Sequence, residues 1–538
     1  MSSRCRAATT RTATSGRAPT PEPRETATRP RDPCALADTT DRARGDDPAD
    51  AAWEDHVAYE RENFINQLVR RGFNLTRDNS QGAKSDAELT DGRVTVILED
   101  GFPYSAPRVR SDTVTPMSWH RDRGGFLCLY ASLDRDGLPW LTVDQFLARI
   151  DEWFEKNEAG WPDDPPALDL EAYLDELPID PRYVLYADLA RYTDDYVRLR
   201  EVGTQIRIVD DGKIAKNSTK GFLSGYVTDI GEVTTPPLGW DDLLSRLDEG
   251  EKIQRAVQNH RVDVLLVQYR RRDQRGAIAL TFPTGNPPAA PPMKGKAKRN
   301  RFGRKPHLAL SASMDESAMR LRSGNSASVI KDKKVYVVGA GALGSHICDA
   351  LVRAGIGELT IRDHQILTPG NMTRHLAANL AYAGHLKARV VEVILSNRPY
   401  SRTKVHHNAT TLTRPAEAVD LLRTYDLVID ATADGSVTTM LEDAANVTGN
   451  HFVTSCLQNE GRSMRIDVVP PLDGADPIPP TTIQPSAARN MFEAGCGEPV
   501  SPTPPHAVAE AAAMAARHII GLLTGAPESA AGEHRDLG

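Results

Sequence analysis

The stretch from Val335 to Asp363 decides the fold of the second half of the chain, and it reads VYVVGAGALGSHICDALVRAGIGELTIRD. It opens with apolar, largely β-branched residues, which predict a buried strand. Gly339, Gly341 and Gly344 follow and begin a segment with helical apolar spacing, and a second apolar strand ends at Asp363. Glycines let the backbone approach a phosphate, and the helix N-terminus offers unpaired N–H groups. The stretch therefore predicts a nucleotide site.

Asp363 lies 19 residues after Gly344, where a carboxylate can accept hydrogen bonds from ribose hydroxyls. NAD enzymes, flavin enzymes and some ATP-using enzymes share this fingerprint. By itself the pattern therefore predicts a nucleotide and leaves the reaction open.

The residues after Asp363 favour ATP chemistry over hydride transfer. Arg374 in a predicted loop and Lys387 follow, and Asp430 and Asp434 stand at the end of another apolar strand. An enzyme that splits ATP between its α- and β-phosphates needs cations to stabilise the charge on the phosphates and an aspartate to hold magnesium. The alternative interpretation is that Arg374 and Lys387 are surface residues at helix ends.

This set of residues resembles the E1-like adenylating enzymes, the family that activates ubiquitin-like proteins and sulfur-carrier proteins. The resemblance implies a doubly wound, Rossmann-like domain that uses ATP and Mg²⁺, with Arg374 and Lys387 also acting in catalysis. The residues that match the family's nucleotide-binding pattern are Gly339, Gly341, Gly344, Asp363, Asn371, Arg374 and Lys387. Ala433 replaces the aspartate that the family places after Thr432, so Asp434 is the predicted magnesium ligand and Asp430 the alternative.

Two further features follow from the same resemblance. Homodimeric members carry an arginine ahead of the first strand that reaches the other subunit's ATP, and Arg320 and Arg322 are the candidates here, which implies a homodimer. Cys496 lies in a polar loop before the Ala-rich helix predicted from Ala507 to Leu523, the position from which E1-like enzymes present their catalytic cysteine. The alternative is a loop thiol without function.

The other cysteines are widely spaced, and the chain has six in all without a CxxC pair. This usage is typical of a reducing cytoplasm, and it predicts neither a disulfide framework nor the structural zinc of many bacterial relatives. Cys348 and Cys456 lie in apolar segments and are predicted to be packed in the core. Cys5 and Cys34 receive no role.

A second candidate site lies nearer the N-terminus, around Cys128. The order predicted there is a helix from Trp53 to Arg71, antiparallel strands, an extended stretch that carries Cys128, and an amphipathic helix through Ile150. Cys128 follows a polar, Gly-containing loop, where a thiol can be exposed and partly ionised by His120 and nearby arginines. The alternative is a buried structural thiol.

This region resembles the ubiquitin-conjugating, or E2, fold. The matching features are a Pro-containing turn before a strand, His120 eight residues before Cys128, and a tryptophan after the cysteine. The resemblance implies that Cys128 carries a thioester and that His120 begins the family's His-Pro-Asn motif. Arg121 and Asp122 replace the proline and asparagine, so the oxyanion-stabilising role of that asparagine is unassigned.

The sequence thus predicts an α/β multidomain protein in which an α+β E2-like domain precedes the adenylation domain. Arg182 to Glu201 is predicted to be helical. The net charge of -8 argues against general nucleic-acid binding, and no apolar run is expected to reach membrane-spanning length. The predicted segments are a disordered tail (1–50), the E2-like domain (51–177), a small α/β connecting domain (178–282), a Pro-rich basic linker (283–306), the adenylation domain (307–525) and a disordered tail (526–538).

An E2-like domain followed by an E1-like domain in one chain resembles the E2–E1 fusion proteins of bacterial antiphage systems of the CBASS class. The resemblance implies a cytoplasmic enzyme that adenylates the C-terminal carboxylate of a protein modifier, captures it on Cys496, transfers it to Cys128 and ligates it to a target amine. A cGAS-like nucleotidyltransferase is one candidate modifier. Two alternatives stay open: an adenylyltransferase for a sulfur carrier, and a nonenzymatic nucleotide-binding regulator.

Overall fold

A computed structural model describes residues 48–79, 86–111, 113, 118–130, 137–164, 167–209, 222–283, 304–484 and 501–537. The chain divides into two compact units. The first comprises Met1–Thr115 and Gly124–Gly160, and the second comprises Pro116–Arg123 and Trp161–Gly538. The predicted N-terminal tail lies outside the described residues up to the start of the first helix.

In its described residues, the first unit contains two α-helices and a four-stranded antiparallel sheet in the order β1-β2-β3-β4. Phe64 of the first helix contacts Phe146 of the second, with ring centroids 5.5 Å apart, and both rings are buried. This arrangement confirms the predicted order of elements. The elements are α1 (Pro48–Arg70), β1 (Asn74–Asp78), β2 (Ala87–Thr90), β3 (Thr95–Leu98), β4 (Arg108–Arg110) and α2 (Val143–Glu158).

The second unit begins with a closed seven-stranded barrel in the order β10-β11-β5-β7-β6-β8-β9. Two short helices connect β8 to β9, and apolar side chains of the strands form the barrel core. The elements are β5 (Ile179–Tyr186), β6 (Asp195–Val202), β7 (Gln205–Ile208), β8 (Leu223–Glu232), α3 (Trp240–Ser245), α4 (Gly250–Gln258), β9 (Val264–Arg271), β10 (Gln274–Thr281) and β11 (His307–Ser313).

The barrel corrects three predictions. The segment from Arg182 to Glu201 is not helical: it contributes to β5 and β6, because Val184, Val197 and Leu199 fill the barrel core. The adenylation domain does not begin at residue 307, since β11 pairs with β5 and β10 and closes the barrel. The predicted boundary at residue 177 is also too late, because Leu170 already packs in the core that α3 and α4 form with the barrel strands. Residues 284–303 of the predicted linker lie outside the described ranges.

The remainder of the second unit is a seven-stranded sheet in the order β14-β13-β12-β15-β16-β17-β18. The first five strands of this order are parallel, and β17 and β18 are antiparallel. Helices cover both faces, which confirms the Rossmann-like prediction. The elements are α5 (Glu316–Met319), α6 (Ala327–Ile330), β12 (Lys334–Val338), α7 (Ala342–Ala354), β13 (Glu358–Arg362), α8 (Lys387–Ser396), β14 (Lys404–Asn408), α9 (Pro415–Thr424), β15 (Leu427–Asp430), α10 (Gly435–Thr448), β16 (Phe452–Gln458), β17 (Ser463–Val469), α11 (Pro505–Thr524) and β18 (Gly532–Asp536).

Alternation along β12 explains the two layers of helices. Val335 and Val337 pack in one core with α7 and α11, while Tyr336 and Val338 pack in a second core with α9 and α10. Successive side chains of a strand point to opposite faces, so a continuous apolar run produces a sheet that is buried on both sides.

The C-terminal segment also differs from its prediction. Residues 532–536 form β18, which pairs with β17 through five residue pairs, so the prediction of a disordered tail over 526–538 is wrong there. Glu533 explains the ordering, because its carboxylate accepts hydrogen bonds from Arg517 and His518 of α11 at 2.6 and 2.9 Å. The strand is thereby attached to the sheet and to the helix beneath it.

Helix α11 is the one helix among the described residues that is long and apolar enough to cross a membrane by length and composition. By that measure, the expectation that no apolar run reaches spanning length is wrong. However, 61% of its most apolar window is buried, and Ala511, Ala515 and Ile519 pack in the same core as α7. The helix therefore serves as the core helix of this domain.

Candidate active site

A cleft lies at the carboxyl ends of β12, β13 and β15, where the strand order reverses around β12. It encloses a cavity of about 170 Å³. Ligands of open α/β sheets bind at such a reversal of strand order. The residues predicted at the site that line this cavity are Gly339, Gly341, Asp363 and Asp434.

Gly339, Gly341 and Gly344 differ in how much space surrounds the position of a Cβ atom. Gly339 has φ +96°, and a Cβ atom there would lie 2.7 Å from the carbonyl oxygen of Ala431. A Cβ on Gly344 would overlap the carbonyl oxygen of Gly339, so this glycine allows the helix to pack on the loop. Gly341 instead has an ordinary φ of -72° and open space around the position of a Cβ. Two of the glycines therefore build the loop, and the third leaves room for a ligand beside the N-terminus of α7.

Asp363 binds the glycine loop itself. Its Oδ2 accepts a hydrogen bond from the backbone N–H of Ala340 at 2.8 Å, and its Oδ1 accepts one from Gln365 N–H at 2.8 Å. A carboxylate oxygen has further lone pairs, so the group can still accept hydrogen bonds from a ribose. The ribose-binding role remains a prediction, and the structure adds a loop-positioning contact.

Lys387 is not a surface residue. It is only 8% exposed at the first turn of α8, and its Nζ donates to Oε1 of Gln365 at 2.7 Å. Because Gln365 lines the cavity, the buried ammonium group is bonded to the cavity wall. The surface-residue interpretation is therefore wrong for Lys387.

Asn371 and Arg374 lie in the loop between β13 and α8. The Asn371 Oδ1 accepts a hydrogen bond from Thr368 N–H at 3.2 Å and so caps the short helical turn that precedes Arg374. Arg374 is partly exposed, and among the described residues no hydrogen bond or ion pair involves its guanidinium group. Neither residue lines the cavity, so their nucleotide contacts stay predictions.

The two candidate magnesium ligands have different surroundings. Asp430 is 1% exposed, and its two oxygens accept hydrogen bonds from the hydroxyls of Thr432 and Thr438, both at 2.6 Å. Asp434 is exposed, lines the cavity and caps α10, and hydrogen bonds from Ser436 lower the pKa of its carboxyl. Asp434 is thus the ionised carboxylate that a cation in the cavity can reach.

Sequence reasoning missed the opposite wall of the cleft. Arg362 is 2% exposed, donates from Nη1 to Glu417 at 2.6 Å and from Nε to the carbonyl oxygen of Thr410 at 2.9 Å. Its guanidinium group lowers the pKa of Glu417. A charged residue that ends an apolar strand, directly before Asp363, is the pattern that could have identified it. Arg362 holds residues 410–412, which line the cavity.

Arg320 and Arg322 do not line this cleft. The Arg320 Nη1 lies 2.9 Å from Glu316, and its side chain borders a separate cavity together with Lys334 and Lys404, residues that begin β12 and β14. Arg322 is exposed. Their binding of the other subunit's nucleotide, and the homodimer itself, stay predictions.

The described cysteines behave in three ways. Cys348 is fully buried, and burial raises the pKa of its thiol, which confirms a core residue. Cys456 lies partly buried in β16, where burial raises its pKa to about 11. Cys128 is exposed, while its neighbours Leu127 and Leu129 are buried. The interpretation of Cys128 as a buried structural thiol is therefore wrong. Cys496 lies outside the described residues.

Side-chain hydrogen bonds within the first unit hold the backbone directly after Cys128 and the turn around Pro103. The Nε of Arg149, on α2, donates to the carbonyl oxygen of Leu129 at 2.8 Å. The indole N–H of Trp140 donates to the carbonyl oxygen of Pro103 at 2.8 Å. The tryptophan and the Pro-containing turn predicted from the sequence are thus bonded to each other.

His120 belongs to the second unit, whereas Cys128 belongs to the first. Its backbone has φ +61°, and its Nε2 lies 2.9 Å from Oδ1 of Asp164. Its ring contacts that of Trp161, with centroids 4.4 Å apart. Arg121 and Asp122 adjoin it and are partly buried. The His120 imidazole thus lies between the Asp164 carboxylate and the Trp161 ring.

Within the described ranges, no group of three His, Cys, Asp or Glu side chains stands close enough together to hold a metal ion. Magnesium usually takes one or two carboxylates, with phosphate oxygens and water completing its octahedron. The exposed carboxylate of Asp434 fits that mode of binding, in which the nucleotide supplies the remaining ligands.

Residues 316–534 match the model of the ThiF family. Over 125 residues the chain is 31% identical to MoeZ of Mycobacterium tuberculosis, a probable adenylyltransferase/sulfurtransferase. This alignment covers 23% of this chain and 31% of MoeZ. Over 123 residues it is 37% identical to Cap2 of Enterobacter hormaechei, an ATP-dependent ubiquitin transferase-like protein. This alignment covers 22% of this chain and 20% of Cap2.

The solved structures include E. coli MccB with ATP, which aligns with a TM-score of 0.29 at 16% identity, over 38% of this chain and 59% of that one. The match spans about a third of MoeZ and a fifth of Cap2.

Proposed function

We propose that the chain uses ATP to adenylate the C-terminal carboxylate of a partner protein and passes the acyl group to its own cysteines. The match of residues 316–534 to the ThiF family model supports this proposal. The observation that carries the proposal is the cleft at the carboxyl ends of β12, β13 and β15. There the glycine loop and Asp434 line one cavity, and Lys387 is bonded to its wall.

In the first step the partner's carboxylate attacks the α-phosphorus of ATP, and pyrophosphate leaves. The glycine loop and the N-terminus of α7 bind the phosphates, because their backbone N–H groups and the helix dipole favour anions. Lys387 and Arg374 stabilise the negative charge that develops, and Asp363 orients the ribose. Asp434 would hold the magnesium ion, which neutralises the departing pyrophosphate.

In the later steps the acyl group moves between thiols. The thiolate of Cys496 attacks the acyl-adenylate and AMP leaves; the thiolate of Cys128 then attacks the thioester and releases Cys496. Finally a target amine attacks the carbonyl carbon and releases Cys128. Each step needs a thiol that another macromolecule can reach, and the exposure of Cys128 between two buried leucines supports this role. The order of elements in the first unit, which agrees with an E2-like domain, supports it as well.

A second candidate function is adenylation of a sulfur-carrier protein. The similarity to MoeZ, described as an adenylyltransferase/sulfurtransferase, favours it, and the similarity to Cap2, described as ubiquitin transferase-like, favours conjugation. The candidates differ in what they require of Cys128, because sulfur-carrier adenylation gives it no task. An antiphage setting of the CBASS class is part of the first candidate.

The adenylation step is tested by the exchange of labelled pyrophosphate into ATP, measured with the full chain, Mg²⁺ and each protein encoded beside it. We expect exchange with one of these proteins, and removal of its last residue should abolish the exchange. A chain that binds ATP but supports no exchange with any of them would contradict the proposal and favour a nucleotide-binding regulator.

A further inference from the structure

We propose that His375 is a positioning residue that sets the conformation of the glycine loop and joins it to the segment bearing Arg374. This inference rests on the proposed nucleotide function and deepens it. His375 is 3% exposed, and its imidazole contacts the carbonyl oxygen of Ala340, the residue between Gly339 and Gly341 in the loop.

The hydrogen bonds of His375 define its tautomer. The backbone N–H of Ala377 donates to Nδ1 at 3.0 Å, so Nδ1 must carry a lone pair. Nε2 then carries the proton, and it donates to the carbonyl oxygen of Ala340 at 2.7 Å. Both ring nitrogens are therefore used by the neutral form.

These contacts orient the two peptide groups on either side of Ala340. The Ala340 N–H, in the Gly339–Ala340 peptide, donates to Asp363, and the Ala340 carbonyl, in the Ala340–Gly341 peptide, accepts from His375. Ala340 is itself buried, and the carbonyl points to a buried imidazole, away from solvent. A carbonyl oxygen directed at a bound phosphate would repel it, whereas N–H groups attract it. The imidazole thus keeps an unfavourable dipole out of the ligand's space at Gly341.

The segment around Arg374 is attached to the same helix that follows the loop. The carbonyl oxygen of Arg374 lies 3.1 Å from Nε2 of His346, and the N–H of Leu376 donates to the Ser345 hydroxyl at 3.2 Å. Both partners lie in the first turns of α7. His375 stands between these two bonds, so the backbone of Arg374 is fixed relative to the glycine loop while its guanidinium group remains available.

The charges around His375 support the neutral form. The pKa of His375 is lowered to about 4, mainly by burial and to a smaller extent by Lys387 and His346, while the hydrogen bond to Ala340 and the charge of Asp363 act in the opposite direction. The imidazole can therefore donate to Ala340 and accept from Ala377 throughout the neutral pH range.

The experiment measures the dissociation constant of α,β-methylene-ATP with Mg²⁺ for the full chain by isothermal titration calorimetry. In His375→Gln the side-chain amide reaches the position of Nε2 and can donate to Ala340, so affinity should stay within about threefold of the wild type. In His375→Leu the volume is kept but the donor is lost, so affinity should fall about tenfold. His375→Asn, a polar variant that is too short to reach Ala340, should lose affinity as His375→Leu does.

The unfolding temperature of each variant and its circular dichroism identify variants that do not fold. If His375→Leu fails to fold, the comparison of Gln with Asn decides the outcome, because both are polar and only Gln reaches the carbonyl. Equal affinity in all folded variants would overturn the inference and leave the proposed function intact. No nucleotide binding by the wild type would remove the proposed function, and the inference with it.

Discussion

The nucleotide cleft and the Cys128 stretch hold their functional groups in opposite ways. In the cleft, Asp363 and Lys387 each contact a further cavity residue or the glycine loop, and Lys387 is almost fully buried. Cys128 is exposed on an extended stretch, and its two neighbours supply the buried anchors. We therefore expect that substitution of a buried cleft residue such as Lys387 disturbs fold and chemistry together, whereas a substitution at Cys128 affects chemistry alone.

The largest effect is expected from Lys387→Ala. Loss of the buried ammonium group should lower the rate of pyrophosphate exchange by about 100-fold or more, the scale on which one preorganised charge-stabilising group acts. Lys404→Ala is the matched control, because Lys404 is exposed at the start of β14 and lies outside the cleft. Equal exchange rates in the two variants would contradict the role of Lys387.

The dependence of stability on pH tests whether His375 is buried in its neutral form. The pKa of His375 is about 4 in the folded chain and near 6.5 in an unfolded one. The unfolded chain therefore binds an extra proton between these values, so the stabilisation from this residue is complete above pH 6.5 and is lost as the pH falls towards 4. Relative to His375→Gln, the wild type should lose up to about 3 kcal/mol over this window.

Scanning calorimetry of both proteins in half-unit pH steps measures that difference. A constant difference in unfolding temperature from pH 6.5 to 4 would show that His375 is not a buried neutral imidazole.

Two glycine substitutions distinguish an effect on the stability of the glycine loop from an effect on nucleotide binding. Gly344→Ala introduces a Cβ that overlaps the Gly339 carbonyl, and we expect about 1–3 kcal/mol of destabilisation. Gly341→Ala meets open space at an ordinary φ, so stability should change little while nucleotide affinity falls, because the methyl group occupies ligand space. Calorimetric unfolding and nucleotide titration measure the two effects. Loss of stability in Gly341→Ala with unchanged affinity would reverse this assignment.

The smallest effect on the fold is expected from Cys128→Ser. An exposed position away from special features changes stability by less than about 0.5 kcal/mol, so the unfolding temperature should be that of the wild type. Pyrophosphate exchange should also be unchanged, while ligation to an amine is lost. Slower exchange in this variant would show that the two regions do not act independently.

The sequence predicted the cleft well because one continuous strand–helix–strand unit builds most of it. The order of elements around Cys128 was also predicted, since apolar periodicity marks α1 and α2. Arg362 was missed because its role depends on Glu417 and Thr410, which lie in a different part of the chain. Local patterns report local structure, and pairings between distant segments leave no comparable trace.

The barrel shows the same limit. The residues of β5 and β6 have apolar spacing that also suits a helix, and tertiary pairing selects the strand. Strand β11 follows a long Pro-rich segment, so its pairing with β5 could not be read from its neighbours. The ordering of β18 likewise depends on contacts of Glu533 with α11.

The most direct test of the account incubates the full chain with ATP, Mg²⁺ and the proteins encoded beside it, and then maps adducts by peptide mass spectrometry with and without a thiol reductant. The account predicts an ATP-dependent, reductant-sensitive adduct on Cys128 that is absent from Lys387→Ala. Pyrophosphate exchange with a neighbouring protein but without any adduct on Cys128 would contradict it and favour adenylation of a sulfur carrier.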